Sequence, residues 1–146
     1  MNSGPIMLIE DDEDDVTLTL RALRQNQVAN EVVVATDGAQ ALDLLCPPDG
    51  RERLVPVLIL LDINLPRIGG LDVLRAVRAD PDTRTLPVVM LTTSGEERDI
   101  DASYRLGANS YVRKPVSFGD FIEATRLLGL YWLGVNELPP RQPATA

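Results

Sequence analysis

The chain contains no histidine, a single cysteine and few aromatic residues, 4% of its 146 positions. Without imidazole it can build neither an internal histidine base nor a Cys/His zinc framework. Cys46 has no second thiol to pair with, which excludes an internal disulfide and points to a reducing cytoplasm. No apolar run reaches the roughly 18 residues of a spanning helix. Met1-Asn2-Ser3-Gly4-Pro5 has no basic stretch, and the apolar run after it, Ile6-Met7-Leu8-Ile9, is too short for a secretory signal, so no membrane partner is expected. Positive charge is scarce as well: 14 basic residues face 22 acidic ones for a net −8, a field that repels nucleic acid. What is present is an ordinary globular mixture, 45% apolar and 25% charged, at a length close to one average domain. A single domain over 1–146 is expected, with enough chain to bury a core.

The charge is concentrated in two places. Glu10-Asp11-Asp12-Glu13-Asp14-Asp15 is an unbroken acidic run, and Lys114 is the one lysine among the basic residues, the rest being arginines. Around them, short apolar runs alternate with amphipathic ones. Ile6–Ile9, Val32–Ala35, Val57–Leu61, Val88–Leu91 and, more weakly, Ser110–Val112 predict strands, and the Val/Ile/Leu-rich ones suit a parallel sheet covered on both faces. Val16, Leu20 and Leu23 fall at helical spacing behind an acidic first turn. Helices are also predicted over Ala39–Leu45, through Leu71, Leu74 and Val77 up to Ala79 before Pro81, over Glu96–Leu106 ahead of Gly107, and from Phe118 with Ser117 as its cap. Five β-α units in succession argue for an open, doubly wound α/β sheet. Cys46 to Pro56 reads as a surface loop, and Pro139-Pro140 to Ala146 as a frayed tail.

Ligands of such sheets sit at the carboxyl ends of the strands. Those ends carry Glu10-Asp11, Asp62, Thr92-Thr93-Ser94 and Lys114-Pro115. Three carboxylates at one place repel one another and ionise together only around a cation. Oxygen ligands without His or Cys favour magnesium, with manganese as an acceptable substitute. A lysine and a hydroxyl beside them make a phosphoryl-binding set. Taken singly each piece has a plainer explanation: Asp12 to Asp15 as a solvated helix start, Asp62 as a turn cap, the Thr-Thr-Ser run as capping, Lys114 as a surface residue. Convergence of four strand ends favours the site.

The runs Ile6-Met7-Leu8-Ile9-Glu10-Asp11-Asp12, Leu60-Leu61-Asp62-Ile63-Asn64-Leu65-Pro66-Arg67-Ile68-Gly69-Gly70, Met90-Leu91-Thr92-Thr93 and Gly107-Ala108-Asn109-Ser110-Tyr111-Val112-Arg113-Lys114-Pro115 resemble a receiver domain of the two-component response-regulator family over roughly residues 5–130. The resemblance implies a flavodoxin-like, five-stranded parallel sheet in order 2-1-3-4-5, the order the receiver fold is known for. It implies a phosphoacceptor signalling protein rather than an enzyme, one that promotes its own phosphorylation and dephosphorylation. Asp62 matches the nucleophile that takes a phosphoryl group from a histidine kinase. Asp11 matches a direct magnesium ligand, Glu10 a neighbour acting largely through water, and the backbone carbonyl of Asn64 the remaining protein ligand. Lys114 matches the lysine that pairs with phosphoryl oxygens, Thr92 the hydroxyl that moves to bind them, and Tyr111 the aromatic switch that turns inward. The side chains of Asn64 and Ser94 match the positions that tune the lifetime of the acyl phosphate, and Lys114-Pro115 a cis peptide.

Beyond the last predicted helix no DNA-binding segment is expected, so output falls to a surface. Phe121, Thr125, Leu128 and Trp132 make one buried stripe, while Leu127, Leu130, Tyr131 and Leu133 cover other sides. Together with Trp132 these predict a homodimer interface on the last helix and its extension over 131–146, with the extension folding back on its own domain as the alternative. The long loop near Cys46 and the tail Trp132-Leu133…Asn136-Glu137…Pro139-Pro140 also resemble single-domain regulators that accompany bacterial phytochrome histidine kinases. Three other readings fit less well. A haloacid-dehalogenase-type phosphatase needs a carboxylate where Asn64 stands. A flavin or nucleotide module needs a glycine-rich first turn that is missing. A receiver-like scaffold that is never phosphorylated has no use for so complete a site.

Overall fold

The computed structural model describes residues 2–140; Met1 and residues 141–146, the end of the expected tail, lie outside the described residues. Elements alternate strictly: β1 (Ile6–Ile9), α1 (Glu13–Gln25), β2 (Val32–Ala35), α2 (Gly38–Leu45), β3 (Leu58–Leu61), α3 (Gly70–Ala79), β4 (Val88–Thr92), α4 (Glu97–Arg105), β5 (Ser110–Arg113) and α5 (Phe118–Gly129), which continues into a π-helical turn over Leu130–Val135. All strand pairs are parallel, in the order β2-β1-β3-β4-β5. No helix among the described residues is long and apolar enough to cross a membrane.

The strand chemistry follows position in the sheet. β1, β3 and β4 are buried along their whole length, whereas the edge strands β2 and β5 are mostly half-buried. Successive side chains take opposite faces. Met7, Ile9, Ile59, Leu61, Val88 and Met90 pack with α2 and α3. Ile6, Leu8, Leu58, Leu60, Val89 and Leu91 pack with Ala22 of α1, Phe121 of α5 and Leu133. Three helices start on side-chain caps, which satisfy first-turn N–H groups: Asp12 accepts from Asp14 and Asp15, Asp37 from Gln40, and Ser117 from Asp120. Gly107, at φ +102, ends α4 in the left-handed conformation glycine adopts without strain.

The extension departs from the expected stripe. Regular α-helical spacing would carry Phe121, Thr125 and Leu128 on to Trp132. The wider π turn instead brings Leu133, five residues after Leu128, into the core at 6% exposure, while Trp132 is half-buried. Leu133 therefore leaves the predicted interface set; Leu127, Leu130 and Tyr131 stay exposed. The fold-back is held from the other terminus. The Asn2 backbone N–H donates to the Leu133 carbonyl at 2.8 Å, and its amide donates to the carbonyls of Trp132 and Asn136 at 3.1 and 2.9 Å. Asn30 in turn donates to the carbonyls of Asn2 and Gly4.

Candidate functional site

The ladder itself sets the acidic residues side by side. The Asp62 N–H donates to the Ile9 carbonyl at 3.1 Å, and the Glu10 N–H donates to the Ala35 carbonyl at 3.0 Å. The residues just beyond β1 and β3 thus share one edge. On the other side of β3, the Lys114 N–H donates to the Thr92 carbonyl at 2.7 Å and brings the end of β5 to the same edge. Carboxylate oxygens of Glu10, Asp11 and Asp62 lie within 4.8 Å of one another. The Lys114 ammonium bonds the Glu10 carboxylate and stands 3.4 Å from Asp15 Oδ2 and 3.9 Å from Asp62 Oδ2.

Burial makes this cluster unusual. Glu10 is 2% exposed, Asp62 9%, and the Lys114 side chain 8%. Burial pushes the Glu10 carboxyl up to about 7; Asp62 pushes the same way while Lys114 opposes both. Burial lowers the Lys114 ammonium, but Glu10, Asp62 and Asp15 outweigh it and hold the group above its ordinary value. One ammonium facing several carboxylates leaves the cluster short of positive charge. The donors are all oxygens, so the set fits a hard divalent cation, with Glu10, Asp11 and Asp62 as its side-chain ligands.

The loop after β3 is shaped by close approaches. A Cβ on Gly70 would lie 2.0 Å from the Asp62 carbonyl oxygen, so only glycine lets α3 begin against the backbone of Asp62. Within the loop Arg67 takes φ +66, a left-handed conformation rare for arginine, and its guanidinium lies 3.0 Å from the Asp37 carboxylate. Asn64 is exposed, its N–H 3.4 Å from Asp62 Oδ1; its backbone carbonyl is the further ligand the resemblance would add.

Thr92 is fully buried at the end of β4. Beyond it, the Ser94 N–H lies 3.4 Å from the Thr92 hydroxyl, and Tyr111 donates its own hydroxyl to the Ser94 carbonyl at 2.8 Å. The Tyr111 ring is therefore tucked against the loop after β4, and burial raises its hydroxyl above the ordinary tyrosine value. Thr92, Ser94 and Tyr111 come together beside the acidic cluster.

Two expectations need correction. The Lys114–Pro115 peptide, cis by resemblance, is trans, as are all peptides among the described residues. Trans is what an X–Pro amide favours by about 0.5–1 kcal/mol, and from it Lys114 already reaches Glu10 and Asp62. Asp15, read from sequence as part of a solvated helix start, instead faces Lys114. It stands in the first turn of α1, and only the docking of that turn beside the end of β5 brings it to the lysine. Asp12, read as part of that same helix start, caps α1 by accepting from the Asp14 and Asp15 N–H groups.

The chain matches the response regulator receiver domain family over residues 6–126. It is 36% identical over 135 residues to the response regulator Rcp1 of Synechocystis sp., covering 92% of each chain. The Mn(2+)-bound crystal structure of Rcp1 superposes with a TM-score of 0.82 at 34% identity, over 93% of this chain and 99% of that one. The phosphorylated cyanobacterial phytochrome response regulator RcpA superposes at 0.85 and 35% identity, over 96% and 100%. The bacteriophytochrome response regulator RtBRR gives 0.73 at 50% identity, over 96% and 86%. On its fold, its acidic pocket with an inward lysine and these matches, the chain belongs to the response-regulator receiver domain family.

Proposed function

We propose that the protein is a phosphoacceptor of a two-component relay, taking a phosphoryl group on Asp62 from the phosphohistidine of a kinase. The supporting observation is the meeting of Glu10, Asp11 and Asp62 within 4.8 Å with the only ammonium side chain of the sequence 3.9 Å from Asp62. In the transfer an Asp62 carboxylate oxygen forms a bond to phosphorus while the P–N bond breaks, and the imidazole of the kinase keeps the electron pair. A bound magnesium ion supplies neutralisation of the spread negative charge and a fixed frame for the phosphoryl oxygens. Glu10, Asp11 and Asp62 would hold that cation, and Lys114 balances charge on the phosphoryl oxygens. A groove of about 170 Å³ lined by Asp15, Leu18, Thr93, Lys114 and Phe118 adjoins the site on the side of Lys114.

The new dianion draws the Thr92 hydroxyl toward it, and Tyr111 occupies the space vacated, which biases the face formed by α4, β5 and α5. Water attack on phosphorus ends the signal, with Asn64 and Ser94 placed to tune its rate. Output is through a homodimer joined by the exposed apolar face of Leu127, Leu130 and Tyr131, edged by the half-buried Trp132. The kinase is a bacteriophytochrome in the cytoplasm, a reading supported by the likeness to a regulator of that name, and the net −8 disfavours nucleic acid as a partner.

Mixing the protein with magnesium and acetyl phosphate and reading the intact mass tests the central step. A gain of one phosphate, absent in Asp62→Asn and absent with a chelator, is expected; no gain in the wild-type chain overturns the reading. Sedimentation tests the dimer, which a monomeric mass at tens of micromolar protein overturns.

A further inference from the structure

Two helices, α3 and α4, begin without a side-chain cap; at α4 the N-cap residue, Glu96, makes no such bond. What holds its first turn is Asp99, whose Oδ2 accepts from the Ser94 hydroxyl at 2.5 Å. That is the length of a charge-assisted O–H···O⁻ bond, roughly twice as strong as a neutral one. Ser94 is bound in three further directions. Its N–H reaches the Thr92 hydroxyl at 3.4 Å, its carbonyl accepts from Tyr111 at 2.8 Å, and its Oγ also accepts from the Glu96 N–H at 3.3 Å. Two residues along β5 from Tyr111, the Arg113 guanidinium lies against Gly95, where a Cβ would stand 2.6 Å from it.

One residue therefore touches the hydroxyl that senses the site, the ring that answers it and the helix that presents the output face. We propose that Asp99 is a positioning residue that, through Ser94, carries the state of the Asp62 site to α4; this rests on the phosphoacceptor reading above. When the Thr92 hydroxyl turns to a phosphoryl group, Ser94 N–H loses that partner. The segment shifts at Gly95, which has no side chain to resist, and the Ser94–Asp99 bond drags the first turn of α4 with it. Without the bond the loop moves and α4 does not follow.

Hydrogen exchange of the α4 amides tests this, measured with magnesium before and after addition of excess acetyl phosphate, alongside intact mass. Wild type, Asp99→Ala and Asp99→Asn each gain one phosphate. The exchange change on phosphorylation is about threefold or more smaller in Asp99→Ala than in wild type. Asp99→Asn keeps most of it, because its amide oxygen still accepts from Ser94 although the charge is gone. An Asp99→Ala response equal to wild type overturns the proposal. So does an Asp99→Asn response as small as that of Asp99→Ala, or an α4 already unprotected in Asp99→Ala before phosphate is added, since the bond would then serve the helix alone. Failure of the wild-type chain to gain phosphate would strike the phosphoacceptor reading instead.

Discussion

At the carboxyl end of the sheet, Glu10, Asp62 and Lys114 are withdrawn from water; along α5 and the π turn, Leu127, Leu130, Tyr131 and Val135 are left in it. Each region inverts the usual distribution, and they differ in how the cost is met. The buried charges offset one another within a few ångströms, and the remaining deficit of positive charge is what a divalent cation fills. Among the described residues these apolar side chains stay in contact with water, and a partner surface is what would compensate them. The acidic pocket is thus self-consistent as a binding site, while the apolar face would become so in the proposed homodimer.

Removing the Lys114 ammonium from the pocket gives the largest expected effect of these. Lys114→Met slows phosphate uptake from acetyl phosphate by about 10²–10³-fold, the scale of losing one preorganised charge at a phosphoryl group; a time course of intact mass reads it, and wild-type uptake would dismiss the role of the lysine. Next comes Leu133→Ala, which costs about 2–3 kcal/mol of stability in urea unfolding because the side chain is 6% exposed in the core. Leu130→Ser, three residues away on the outward side, stays within about 0.5 kcal/mol of wild type while weakening self-association. A stability loss at Leu130 as large as at Leu133 would erase the distinction between the two sides of the turn.

The pocket also carries a pH signature that the apolar face lacks. With Glu10 raised to about 7 from 4.5, the folded chain free of metal binds more protons than the unfolded chain between those values. Its stability from this group is present below about 4.5 and lost as pH rises through 7. Metal binding runs the other way, because the cation must displace that proton. Magnesium affinity is expected to rise about tenfold between pH 6 and 8 by calorimetric titration, and unfolding with chelator to show the opposite slope. A flat affinity across that range would mean Glu10 is already ionised.

Much of this was legible in the residues. The apolar runs of β1, β3 and β4 read as strands because burial on both faces leaves no room for polar alternation, and Ser117 reads as the cap of α5 because first-turn N–H groups need an acceptor there. The candidate site was legible as a list of strand ends, since every chemically distinctive residue fell at one. Asp15 was not, because an acidic run at a helix start has a sufficient local explanation. Nor was the inward turn of Leu133, because a π turn leaves no mark in α-helical periodicity.

By itself the sequence determined which segments become strands and helices and which chemistry they can carry, because propensity, capping and burial pattern act over a few neighbouring residues. Only the tertiary structure decided that Glu10, Asp15, Asp62 and Lys114 share one pocket, that Ser94 ties Thr92 and Tyr111 to Asp99, and that Asn2 clasps the π turn. These contacts join residues from separate elements, Asn2 and Leu133 lying near opposite ends of the chain, and their geometry is set by strand order and helix packing rather than by any local preference.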